Sequence, residues 1–165
     1  MLVDDRNEFC GPTALTGITA ASNGVVVGDV IDRQGLGGGA ADSDVLDLGG
    51  GQPVYLVAVV TTAITATDAD SVTITLRSHE DEDLETGGTP KDHLSVTFAV
   101  NTTSAGLATA GSVLFKTALP VDESYQRYIG IYGDIAGSED VDAGAINAFL
   151  TRDPAAWRPL KDAVQ

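Results

Sequence analysis

Between Val25 and Leu150 the chain is a succession of short β-branched runs broken by turn residues, and it carries no amphipathic helix of normal length. That pattern constrains the fold more than any other feature of the sequence. Ser71 to Arg77 alternates cleanly, with Val72, Ile74 and Leu76 on one side and Thr73, Thr75 and Arg77 on the other. Period two is the signature of a half-buried strand. Leu94 to Val100 repeats it, with Leu94, Val96, Phe98 and Val100 inward. Val54 to Val60 is different, because it is apolar without a break. Such a strand is expected to be buried on both faces, by a second sheet or by a partner subunit. Further strands are expected over Val25–Val27, Val30–Ile31, Val45–Leu48, Val113–Leu119, Tyr125–Ile135 and Ala143–Leu150. Asn23-Gly24, the glycine runs at 35–40 and 49–51, and Pro120 punctuate them.

Seven or eight short strands with turns between them predict an all-β fold, a jelly-roll-like β-sandwich over residues 18–151. Residues 1–17 contain Gly11-Pro12 and no sustained period, and read as an extended N-terminal arm. Residues 152–165 read as a short C-terminal helical tail, with Asp153 as N-cap and Pro154 in the first helical position. The acidic stretch His79 to Lys91 reads as a solvated loop.

Charge narrows the function. Nine Lys and Arg face 24 Asp and Glu, for a net charge of −15. The basic residues are scattered, so neither nucleic acid nor an anionic membrane is an expected partner. High negative charge favours a dispersed, soluble particle. Cys10 is the one cysteine, so no internal disulfide is expected. Met1–Asn7 carries Asp4 and Asp5 in place of basic residues and an apolar run, so the chain is expected to fold in a cytoplasm.

Few residues are placed for chemistry. The glycine loop at 35–40 lacks the Gly-Lys-Ser/Thr of a phosphate cradle, and a strand follows it rather than a helix. Glu80, Asp81, Glu82, Asp83 and Glu85 offer oxygen ligands, but not in the order of a calcium loop, and read as a solvated charge run. His79 and His93 are the only histidines, and nothing in the spacing joins them to Cys10. No G-x-S-x-G elbow is present. No catalytic residue, cofactor or metal is therefore assigned. Tyr125, Tyr128 and Tyr132 admit two readings: core packing with hydroxyls toward solvent, or anchors at a protein interface, where tyrosine is enriched.

Three stretches carry a family resemblance. The first is Leu2-Val3-Asp4-Asp5 with Glu8-Phe9-Cys10. The second is Val45-Leu46-Asp47-Leu48-Gly49 with Gly51-Gln52-Pro53-Val54-Tyr55-Leu56-Val57. The third is Leu119-Pro120, Tyr125-Gln126-Arg127-Tyr128-Ile129-Gly130 and Ala143 to Thr151, completed by Asp153-Pro154-Ala155-Ala156-Trp157. In this order they resemble the capsid cement (decoration) proteins of tailed bacteriophages, the family typified by the Bordetella phage cement protein. The stretches 32–44 and 79–92 depart from that pattern. The resemblance implies a jelly-roll subunit on the outer surface of the virion head. Its partners would be the major capsid protein and itself, as a homodimer in preference to a homotrimer. The interface residues expected are Phe9, Tyr55, Tyr125, Tyr128, Tyr132 and Trp157. Two other classes compete: a virion-displayed carbohydrate-binding jelly roll, and a small β-fold hydrolase.

Overall fold

The computed structural model describes residues 8–21, 24–33, 53–67, 70–120 and 124–155. Among these residues there are nine strands: β1 Glu8–Ala14, β2 Val25–Val26, β3 Ile31–Asp32, β4 Tyr55–Ala66, β5 Asp70–His79, β6 Lys91–Val100, β7 Val113–Ala118, β8 Tyr128–Ala136 and β9 Val141–Thr151. One 3-10 turn, Gly106–Ala108, lies between β6 and β7. Sheet one has the order β1-β9-β4-β7, and sheet two the order β2-β8-β5-β6, with β3 also against β8. The ladders are antiparallel throughout. Taking β2 and β3 as two halves of one position, this is the eight-position order of a jelly roll. The fold expected from the strand pattern is the fold found.

The alternation in β5 and β6 does what its period predicts. Val72, Ile74 and Leu76 join Phe98 and Val100 in the interior, while Leu94 and Val96 pack against it half-buried. Ile129, Ile131 and Ile135 of β8 complete the inner face of sheet two. Facing them from sheet one are Leu56, Ala58, Val60 and Ile64 of β4 and Ile146, Ala148 and Leu150 of β9. Each Val, Leu or Ile among them contributes about 1.5–3 kcal/mol when fully buried. With few aromatics available, the interior is built of many branched side chains rather than a few rings.

β4 is buried on both faces, as its unbroken apolar run requires. Leu56, Ala58, Val60, Ile64 and Ala66 belong to the interior between the sheets. Val57 and Val59 point the other way and form a separate cluster with Phe149 of β9. Gly144 permits the bend where β9 passes β4. Its φ is +144°, and a Cβ there would lie 3.0 Å from the Ile64 Cα.

Two expectations are corrected. Residues 1–17 are not an arm throughout, because Glu8–Ala14 is an edge strand hydrogen-bonded to β9. Gly11 and Pro12, which hid the period, lie within the second of its two register shifts, between Cys10 and Thr13. Proline is tolerated there because an edge strand has one ladder to keep. Nor is the segment after β5 merely solvated. His79 ends β5 fully buried, and Leu84 folds back until it too is fully buried. Gly130 makes room for it: a Cβ there would stand 2.7 Å from Leu84 Cδ1 and 2.9 Å from Val30 Cγ1. Gly130→Val is therefore expected to lower stability by about 1–3 kcal/mol. Limited proteolysis should then cut within residues 80–90 before the rest of the domain.

The strand expected at Val45–Leu48, the glycine loop at 35–40 and residues 1–7 lie outside the described residues. So does the tail from residue 156 onward. At its start, Asp153 Oδ1 accepts the Ala155 amide at 3.2 Å, an Asx turn within a bend.

Candidate interaction surfaces

The outer face of sheet two divides into two zones. The first is a ladder of hydroxyls. Thr73 pairs with Thr97 at 2.9 Å, and Thr75 with Ser95 at 3.2 Å. Ser95 and Thr97 are exposed, and Ala99 beyond them is exposed as well. The ladder ends at Arg77, whose guanidinium pairs with Asp92 through Nε at 2.6 Å and Nη2 at 3.2 Å. That guanidinium lies 3.9 Å above the centre of the Tyr132 ring. Tyr132 is only 3% exposed as a result. Burial pushes its phenol up, and nearby Glu85 acts in the same direction.

The second zone is covered by the loop between β5 and β6. Leu84 plugs the space over Gly130. His79 Nδ1 accepts the Asp81 amide at 2.9 Å. The Asp83 carboxylate accepts the Thr86 hydroxyl and the amides of Glu85 and Thr86, which hold its pKa down to about 2. The acidic run is thus a folded cap whose carboxylates are partly engaged with its own backbone. Among the described residues, no group of three or more His, Cys, Asp or Glu is placed to hold a metal ion.

At the end of the sandwich a polar knot joins β5, β6 and the approach to β8. Ser78 Oγ lies 2.8 Å from His93 Nε2 and accepts the Gln126 amide at 3.1 Å. The His93 ring rests on the Tyr125 ring with centroids 4.1 Å apart, and the Tyr125 hydroxyl donates to the Pro120 carbonyl at 2.9 Å. A serine beside a histidine has the spacing of a nucleophile and its base. Ser78 is fully buried, however, so its hydroxyl has no surface from which to meet a substrate. The knot fixes how the chain enters β8.

The interface residues expected from the sequence separate accordingly. Phe9 is 0% exposed and belongs to the interior, so it is a core residue of the free chain. Tyr125 and Tyr132 are also buried. Of the two readings of the tyrosine cluster, packing describes these two. Tyr55 and Tyr128 are half-buried. Tyr55 sits in β4 opposite Thr151 and Ala118, and Tyr128 has the Arg127 guanidinium 4.7 Å from its ring centre. Trp157 lies outside the described residues.

Sequence reasoning did not find the stack of Arg77 on Tyr132 or the plug of Leu84. Leu84 left one signal, as an apolar residue alone in an acidic run. Cys10 is also sealed. Its Sγ donates to the Ile146 carbonyl at 3.7 Å, and burial pushes the thiol up to about 11. The thiolate is the reactive form. A thiol reagent at pH 8 should therefore leave the folded protein unmodified and label it stoichiometrically after denaturation, as counted by intact mass.

No known protein family's model matches this chain, and no curated protein sequence matches it.

Proposed function

We propose that this chain is a structural protein of a bacteriophage virion. It sits on the outer surface of the head and cements adjacent major capsid protein subunits against internal DNA pressure. One observation supports this reading above the others. The stretches that resemble cement proteins are spread along the sequence, yet three parts of them become neighbours in space. Glu8–Cys10 lies in β1, Tyr55–Val57 in β4 and Ala143–Thr151 in β9, and these strands are consecutive in sheet one. Glu8 pairs with Phe149, and Phe149 with Val57. Three parts of the resemblance therefore lie side by side on sheet one, while Tyr128-Ile129-Gly130 lies in β8 of sheet two.

The physical properties suit the role. A cement subunit needs many modest contacts repeated over a closed shell, which give large avidity without one tight site. A net charge of −15 keeps decorated particles apart. Its partners are then the major capsid protein and further copies of itself. Glycan binding by stacking would call for exposed rings, and Tyr125 and Tyr132 are buried. The test is incubation of the purified protein with heads stripped of it. Saturable co-sedimentation at a fixed ratio to the major capsid protein is expected.

A further inference from the structure

The cap between β5 and β6 is tied down at a nitrogen that a proton can occupy. His79 is fully buried. Its Nδ1 accepts the Asp81 amide at 2.9 Å, and the Asp81 carbonyl in turn accepts the Leu84 amide at 3.2 Å. Asp81 thus links the ring to the Leu84 plug. An imidazole nitrogen that accepts a hydrogen bond carries no proton, so the ring is neutral with its proton on Nε2. Among the described residues, Nε2 has no hydrogen-bond partner. Gly88 closes that side, where a Cβ would stand 3.1 Å from Nε2. While the cap is shut, the ring has no place for a second proton. Leu84 adds that the cap is held rather than relaxed. Its φ is +57°, in the left-handed region that a bulky residue rarely adopts, and its buried seat over Gly130 keeps it there.

We infer that His79 is a proton-operated latch: the cap of residues 80–90 is shut over sheet two while the ring is neutral, and opens when the ring takes up a proton. Histidine is the side chain that ordinarily changes charge between pH 5 and 8. A proton on Nδ1 sets one N–H against another and breaks the bond to Asp81. The charged groups around the ring do not offset that loss. From the cap, the Asp81 carboxylate lies 4.0 Å from Nδ1, but it is 55% exposed and its attraction is screened by water. Asp83, also coupled to the ring, is already engaged by Thr86 and by the Glu85 amide. From β8, Tyr128 stands opposite His79 and carries the like-charged Arg127 guanidinium against its own ring. Arg77 of β5 is paired with Asp92 of β6, and Lys91 of β6 is bound to Ser124. A buried imidazolium without an acceptor at either nitrogen is costly, so the proton favours the open cap. Closure is therefore complete above the range of histidine and is lost as the pH falls through it. The Asp83 turn is not the sensor, because a carboxylate held down to about 2 stays ionised throughout that range. The latch goes beyond the capsid reading and does not depend on it.

The test is amide hydrogen exchange of the full chain at pH 7.5 and pH 5.5, corrected for the intrinsic effect of pH on exchange. Opening at the amides of Asp81, Leu84 and Thr86 is expected to rise roughly tenfold at the lower pH, with β4 and β9 unchanged. His79→Asn keeps an oxygen acceptor near the place of Nδ1 but takes up no proton, and should abolish the rise. Imidazole nitrogen NMR of the wild type gives a second reading. The signals missing from His79→Asn should show a neutral ring protonated on Nε2 at pH 7.5, and should titrate in step with loss of protection in the cap. Exchange that does not change with pH overturns the latch, as does a rise retained in His79→Asn. Should that variant leave the cap open at both pH values, the wild-type spectra decide. A ring that gains its proton with the cap still protected, or one that carries its proton on Nδ1 at pH 7.5, overturns the latch.

Discussion

Phe9→Ala is expected to destabilise the free protein by about 3–5 kcal/mol, read from urea denaturation of the isolated chain. Phe9 is fully buried and packs in the interior under β1. Removing its ring leaves a cavity between β1 and the rest of the core, because the neighbouring strands are held in register by β9. The same change distinguishes two descriptions of the N-terminal segment. An arm that ordered only on a neighbouring subunit would lose capsid affinity and keep the stability of the free chain. A strand built into sheet one loses stability with no partner present. A wild-type urea midpoint for Phe9→Ala would contradict the second description, which is the one the structure gives.

The second large effect is expected at Phe149. Its ring lies on the opposite face of sheet one from the interior, beside Val57 and Val59. It is 3% exposed within the single chain. Phe149→Ala should therefore cost about 3–5 kcal/mol in the free protein. Were Phe149 bare until a capsid docked on it, the substitution would spare stability and abolish decoration instead. Measuring both quantities on one variant separates the cases. The expected result is a lowered unfolding midpoint, with capsid binding retained at temperatures where the variant is still folded.

The sequence disclosed the parts of this fold that depend on local period. Val72, Ile74 and Leu76 announce both their strand and the side it buries, since a slip of one residue would turn all three to solvent. The unbroken run at Val54–Val60 announces that something lies on each face. What it does not announce is the neighbour. β4 pairs with β9 and β7, and Glu8 pairs with Phe149, through contacts between residues far apart in the chain. Those pairings are decided by the packing of whole sheets. Gly11-Pro12 is locally a break, and only the edge position of β1 makes it tolerable. The same holds for the interaction surfaces. Tyr132 admits both packing and an interface role until Arg77 is seen above it, and Arg77 comes from a strand more than fifty positions earlier. Leu84 looks stranded among carboxylates until Gly130 supplies its seat.

The central claim is that this protein reinforces a filled head, and release of packaged DNA on heating tests it most directly. Heads stripped of the protein, and the same heads after saturation with it, would be warmed in parallel and the freed DNA followed by dye fluorescence. The account predicts saturation at a fixed ratio to the major capsid protein and release at a higher temperature for the decorated heads. Release at the same temperature despite full occupancy would contradict the cementing role, and absence of saturable binding would contradict the capsid assignment itself.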